Sequence, residues 1–492
     1  MKNKTFTQPI KLLACVLMFL SGISQAAEFI VQTDLDTGGG QVISEISPDV
    51  FTIDTLRSAV EQANDENNFS GPDLIRFDEN ITTTNPGSST VIILNLVGDQ
   101  FEYQTQTSDS ALAIDSAITI QGTLPDSQVP AIKLEADGLR HFQINQGGRL
   151  RLYDLTLSDG ETPLNSSGRG GAVVVDSNGK LETKNTAFSF NDAVNGGALA
   201  FQSGALDSLI QNSTFSFNQA SDDNPGTSDL GQGGAIFADT GTHIVTIENT
   251  VFSFNIADAH GGALYMDRPF EVLSSELDRN QADRNGGAVY ASEQSNFTLR
   301  NTLFFDNLCQ WRGGALYTRS NTMDASLIFN STVAENNAGF DLLRESFDNP
   351  LRGISSAGGG IYSSIGDNLI MHNSIVAKNR EVGVPDDISA ELLESSSFNL
   401  FGVDGTVFGV SDNTNGNIIG TVSEPIDPRL KINVLLQPTG LLSDSPAINS
   451  GSNAQVTIAG LDTDINGVDR IIGTAVDRGA FETDVLFYNG FN

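Results

Sequence analysis

Cysteine is nearly missing from these 492 residues, with 2 in all. Cys15 lies in an N-terminal apolar run, which leaves Cys309 alone in the remainder. A disulfide framework and a cysteine-based metal cluster are therefore excluded. Basic side chains are also scarce, with 26 Lys plus Arg against 61 Asp plus Glu. Such a surface repels nucleic acid and anionic membranes, so a general DNA- or RNA-binding role is excluded. Long apolar runs are missing too. The run from Leu12 to Ile23 is too short to span a bilayer. It follows Lys2, Lys4 and Lys11 and precedes Ser24-Gln25-Ala26, the pattern of a secretory signal peptide cut after Ala26. Its removal leaves 23 basic against 61 acidic residues, a net charge of −38. No transmembrane segment is expected after that cut.

What the chain has is glycine, 49 in all, and an internal repeat. Gly-Gly-Ala plus an aliphatic residue begins at Gly170, Gly196, Gly233, Gly261, Gly286 and Gly313, and Gly358-Gly359-Gly360-Ile361 is a variant. The spacings of 26, 37, 28, 25, 27 and 45 residues give a short unit with two insertions, at about 219–232 and 338–357. A second signature, Asn-Ser/Thr running to a closing Asn, keeps step from Asn185–Asn191 to Asn373–Asn379. Within a unit the period is two, not 3.6. One column (Val173, Leu199, Ile236, Leu264, Val289, Leu316, Ile361) must face a core, and the pairs Phe188/Phe190, Phe215/Phe217 and Phe252/Phe254 are read as inward. About three short strands per unit, repeated without helices, predict an all-β, right-handed parallel β-helix in which like residues stack ~4.8 Å apart.

Four segments follow from this pattern: a signal peptide (1–26), an N-terminal cap with irregular first rungs (27–149), regular rungs (150–400), and loop-rich rungs with a cap (401–492). In the first cap, Asp54-Thr55 precedes Leu56, Ala59, Val60 and Ala63, an amphipathic helix with a capping side chain. It would cover the open end of the solenoid.

These motifs resemble a known group. The Gly-Gly-Ala and Phe-x-x-Asn repeats are similar to those of polymorphic outer membrane proteins and of secreted bacterial β-helix proteins of the pectate-lyase-like superfold. The segment Thr55-Leu56-Arg57-Ser58-Ala59-Val60 resembles the CSLREA type without its cysteine. Ser445-Pro446-Ala447-Ile448, Thr463-Asp464, Gly467, Arg470 and Gly479-Ala480-Phe481-Glu482 resemble a choice-of-anchor Q ending. The resemblance implies export, to the medium or the outer surface of a Gram-negative-type bacterium. It includes adhesins as well as polysaccharide lyases and hydrolases, so it does not fix activity. Fewer than 120 residues follow Asn379, without a series of amphipathic strands, so a self-anchoring barrel is not expected. Leu486–Phe491 resembles a short tag of some secreted proteins.

Chemistry is sought on the outer face. The residue after each core aliphatic gives Val174, Ala200, Phe237, Tyr265, Tyr290, Tyr317 and Tyr362. This stripe suits sugar rings, and equally suits a half-exposed parallel sheet. The column before each Gly-Gly is Arg169, Asn195, Gln232, His260, Asn285 and Arg312. Five arginines lie between Arg279 and Arg319, around Trp311, the only tryptophan. A groove with Tyr265, Tyr290 and Tyr317 as floor, walled by His260, Trp311, Arg312 and Arg319, is the candidate ligand site. As a lyase, Arg312 would neutralise a uronate while His260 or Tyr290 takes a proton. Surface ion pairing explains the same arginines. Asp239 and Asp267, one rung apart, are a weak hydrolase pair. Asp462, Asp464 and Asn466 match half a calcium loop whose twelfth position is Gly473, so calcium is the one cofactor considered. The same residues fit a plain turn.

Two functions are thereby expected. The first is a secreted or surface binding and adhesion module for a polysaccharide or cell-surface ligand. The second is a lyase or hydrolase on an acidic glycan.

Overall fold

The protein, described from a computed structural model, is seen over residues 26–483 apart from 38–41, 83–89, 104–105, 124–131, 164–167, 223–229, 321, 340–356, 365 and 435–436. The expected signal segment up to Gln25, half of the first insertion, most of the second and the tag-like Leu486–Phe491 lie outside the described residues. The rest is a parallel β-helix. Strands from successive rungs pair in parallel into sheets of 13, 12 and 12 strands, two of which end on an antiparallel edge strand, Val42–Ser47 and Asp99–Tyr103. One regular rung runs Leu264–Met266, Phe270–Leu273 and Glu276–Asp278, then closes with the two-residue strand Gln281–Ala282. That fourth strand builds an 8-stranded sheet of its own. Two residues are too few for period-two alternation to register, so only three strands per rung were legible.

The repeat sets the register. Leu264 pairs with Val289, Val289 with Leu316 and Leu316 with Ile361, and every member of this column is buried. Each fully buried aliphatic contributes about 1.5–3 kcal/mol. Phe188, Phe215 and Phe252 stack inside at 4.7 and 4.8 Å. Phe190, Phe217 and Phe254 do not join them and are 59, 49 and 39% exposed. Each has a left-handed backbone, φ 56, 56 and 57°, so the strand has already turned and the inward reading of this second set is corrected. The Gly-Gly pair makes a tight corner. Gly261 sits at φ 68°, and a Cβ on Gly262 would lie 2.1 Å from the Gly287 carbonyl oxygen, so the first needs glycine's freedom and the second its size.

The closing asparagines form an amide ladder inside the next corner. The Asn218 side-chain amide donates to Asn255 Oδ1, Asn255 to Asn280, and Asn280 to Asn307, at 2.9, 2.9 and 3.0 Å. Each Oδ1 also accepts the backbone N–H of the preceding ladder residue. The second amide hydrogen reaches a carbonyl of the preceding rung, as Asn255 does to Phe215 at 3.0 Å. The run from Asn191 ends at Asp387, whose Oδ1 accepts from Asn379 Nδ2 at 2.9 Å.

At the N-terminus, Leu56–Ala63 is the predicted capping helix. The Thr55 side chain accepts from Ser58 N–H, and Leu56, Ala59, Val60 and Ala63 are buried. Arg57 pairs with Asp36 at 2.6 Å and donates to the carbonyls of Leu96 and Ala111. At the other end Leu400–Phe401, Thr406–Phe408 and Ile418–Ile419 extend the sheets. The chain then doubles back along the flank. Ala480 and Phe481 pack on Leu303, Phe305, Ala334 and Ile375. A second helix, Asn453–Ala459, sets Val456 and Ala459 against Phe329. Arg300 donates to the Ala459 carbonyl at 3.1 Å and Arg478 to that of Asn399 at 2.7 Å. Among the described residues no helix is long and apolar enough to cross a membrane.

Replacing Asn255 by Ala strands the Asn218 donors and the Phe215 carbonyl. The unfolding free energy should fall by about 3 kcal/mol or more, read as a lower denaturation midpoint. A second expectation concerns pH. Burial pushes Asp387 and Glu276 up to about 7 and Glu482 up to about 8. The folded chain thus holds protons that the unfolded chain releases above about pH 4, so stability falls as pH rises towards about 8. The melting temperature should be higher near pH 5 than near pH 8.

Candidate functional site

The predicted aromatic stripe exists as a ladder, but its ring faces are occupied. Phe237, Tyr265, Tyr290, Tyr317 and Tyr362 stack at 5.3, 5.0, 4.9 and 5.2 Å, within 5–17° of parallel. Every rung places its ring directly over the last because the strands pair in exact step: Tyr265 with Tyr290, Tyr290 with Tyr317, Tyr317 with Tyr362. Arg169 covers one end over Phe237 and Arg312 the other over Tyr362, both 4.9 Å from the ring centre. Tyr290 and Tyr317 are only 6 and 8% exposed. What the ladder offers a ligand is therefore its ring edges and hydroxyls, not the flat faces on which a sugar stacks.

Two cavities open along this ladder. The first, ≈ 350 Å³, is lined by His260, Tyr265, Tyr290 and Arg319, with Gln232, Asp267, Ser292, Glu293 and Gln294. His260 and Tyr290 lie 4.6 Å apart, centroid to centroid. His260 is nearly buried, and the Asn285 N–H points at its Nδ1 at 3.4 Å. Burial, aided by Arg284 and Arg319, pushes its pKa down to about 3, so the imidazole is neutral at physiological pH. Arg319 is engaged by Glu293. Asp267 accepts from the Ser292 hydroxyl, and burial holds its carboxyl above the usual range. Asp239, its expected partner, is tied to Arg169 at 3.0 Å.

The second cavity, ≈ 520 Å³, holds Arg312 and Tyr362 with Glu381, Asp386, Ser389 and Thr406. Arg312 donates to the Tyr362 hydroxyl at 3.1 Å. Burial and then Glu381 push Asp386 up to about 6, although the Gly358 N–H binds it. His260 and Arg312 thus line separate cavities. Trp311 is near the first, 6.4 Å from His260, beneath the Arg284 guanidinium at 5.5 Å. Tyr317 bridges the two in the ladder.

The remaining arginines of the cluster are neutralised locally. Arg279 pairs with Asp278 at 2.8 Å and Arg300 with Glu271 at 3.0 Å. In the C-terminal loop Asp464 is buried. Its oxygens accept the N–H groups of Asn466, Val468 and Glu482, while Asn466 reaches the Thr439 carbonyl. Asp464 thus anchors a turn through these three N–H groups. Among the described residues no group of three or more His, Cys, Asp and Glu could hold a metal. Cys309 is buried between Ala282 and Ala338.

Sequence reasoning missed Ser292, Glu293 and Gln294, and the pair Glu381 and Asp386. The first three follow a ladder strand at the turn that Asp267 occupies one rung earlier, so the repeat itself marks them. The second pair sits at an antiparallel hairpin, Arg380–Glu381 with Val384–Pro385, where no repeat signal exists. The chain matches no protein-family model and no curated protein. If burial keeps His260 neutral, NMR of ring-labelled histidine should show no titration of this residue between about pH 8 and pH 5.

Proposed function

We propose that this protein is an exported β-helix binding module, secreted or held at the bacterial surface, that takes a carbohydrate or another hydroxyl-rich cell-surface ligand. The resemblance of its Gly-Gly-Ala and Phe-x-x-Asn repeats to those of polymorphic outer membrane proteins supports export. The observation that carries the reading is the first cavity, where the Tyr265 and Tyr290 edges meet Gln232, Ser292 and Gln294 in an open cleft. Amide, hydroxyl and phenol groups suit hydroxyls, each contact contributing modestly and summing along a ligand.

The competing reading is a lyase on an acidic glycan, supported by His260, Tyr290 and Arg319 in one cavity. It requires a base that accepts a proton and an arginine open to a carboxylate. His260, with its pKa pushed to about 3, is a weak base, and Arg319 already binds Glu293. Binding without catalysis is therefore the reading we adopt.

The test is to incubate the mature protein with immobilised polysaccharides and bacterial cells while assaying for unsaturated and reducing-end products. Retention without product release is expected, weakened about tenfold or more by Tyr290→Ala, about 1.4 kcal/mol. Product release abolished by His260→Ala or Arg319→Ala would replace this reading with the enzymatic one.

A further inference from the structure

We infer that the ligand is a neutral, linear glycan lying along the solenoid axis, spanning both cavities of the tyrosine ladder with about one sugar per rung. The inference rests on the binding reading above and names its ligand class.

Charge decides against an acidic glycan. The first cavity sets Asp267 and Glu293 against Arg319, and the second sets Glu381 and Asp386 against Arg312. Each contains two carboxyl groups and one guanidinium. Arg319 is held by Glu293, and Arg312 lies over Tyr362 and binds its hydroxyl. A polyuronate would have to displace these contacts and approach a chain whose formal net charge is −35 even with its signal segment, against a repulsive field. Neutral groups line both cavities: the Gln232 and Gln294 amides with the Ser292 hydroxyl, which donates to Asp267, in one, and the Ser389 and Thr406 hydroxyls, bonded to each other at 2.7 Å, in the other.

Geometry sets the direction and length. From Tyr265 to Tyr362 the rings advance in steps of 5.0, 4.9 and 5.2 Å, so Tyr265 and Tyr290 of the first cavity lie three and two rungs from Tyr362 of the second. A rung spacing of ~4.8 Å is close to the advance of one pyranose in an extended chain. A ligand following the ladder therefore meets a tyrosine at each sugar, and four units reach from Tyr265 in the first cavity to Tyr362 in the second. A compact or strongly curved ligand would fill one cavity and leave the other empty.

The experiment is calorimetric titration of the mature protein with cellohexaose, mannohexaose and hexagalacturonate, then with shorter oligomers of whichever binds. A neutral hexamer should bind, with affinity that changes less than twofold between low and physiological salt and rises with length up to about four sugars. Gln294→Ala in the first cavity and Ser389→Ala in the second, each with an unchanged circular dichroism spectrum, should both weaken the hexamer about threefold or more. Weakening by only one of the two overturns the spanning ligand. Preferential binding of hexagalacturonate, lost in Arg319→Ala and at high salt, overturns the neutral class and leaves the binding reading intact. Retention on cells with no hexamer bound also overturns this inference alone, whereas no retention on cells or polysaccharides overturns both.

Discussion

The amide ladder from Asn191 to Asp387 is the constraint from which the rest of the architecture follows. A buried amide must satisfy two donors and an acceptor, and here each asparagine does so through the rungs on either side. The chain can satisfy it only if every rung places its asparagine at the same height and angle. A slip by one residue would leave amides and backbone N–H groups unpaired away from water, each costing about 1–3 kcal/mol. Polar satisfaction therefore supplies register where the short strands, three residues in the regular outer sheet, specify little on their own. With register fixed, the outer columns line up without further instruction, and the tyrosine ladder results.

That dependence explains which parts were legible in the amino-acid sequence. Gly-Gly-Ala and the closing Asn recur because each corner has a steric or hydrogen-bonding demand, and recurrence reveals the solenoid and the core column of Val173 to Ile361. The capping helix was equally visible, through Thr55 and the spacing of Leu56, Ala59, Val60 and Ala63. Alternation failed at Phe190, Phe217 and Phe254, where a left-handed residue before each ladder asparagine reverses the side of the strand. Nothing in a hydrophobicity pattern carries that information, although an aromatic in the position next to a buried Asn is a usable signal afterwards.

The candidate site was half legible for a related reason. Columns identified Tyr265, Tyr290, Tyr317, His260 and Arg312 as neighbours along one face, since stacking follows from register. Which neighbours share a cavity depends on turns and on side-chain partners that break the repeat. Arg312 is drawn to Tyr362 in the second cavity and Arg319 to Glu293 in the first, so the arginine beside His260 is not the one that sequence spacing suggested. The stripe was also read as a platform, whereas aligned rings one rung apart cover one another's faces. Periodicity predicts the presence of such a ladder but not which surface of each ring stays open.

The segment that doubles back along the flank changes how the solenoid holds together. In a pure repeat array each rung touches only its neighbours, so an end can fray one rung at a time. Here Arg300 and Asn301 are bound to the carbonyls of Ala459 and Thr463, across 159 and 162 residues of chain, and Ala480 binds Thr332 across 148. The last described residues thus clasp strands that lie third and fourth from the C-terminal edge of their sheets. Peeling the C-terminal rungs requires releasing this clasp first, so local loosening becomes a collective event. The clasp binds surfaces that exist only when those strands are paired, so it can close only on rungs that have already formed.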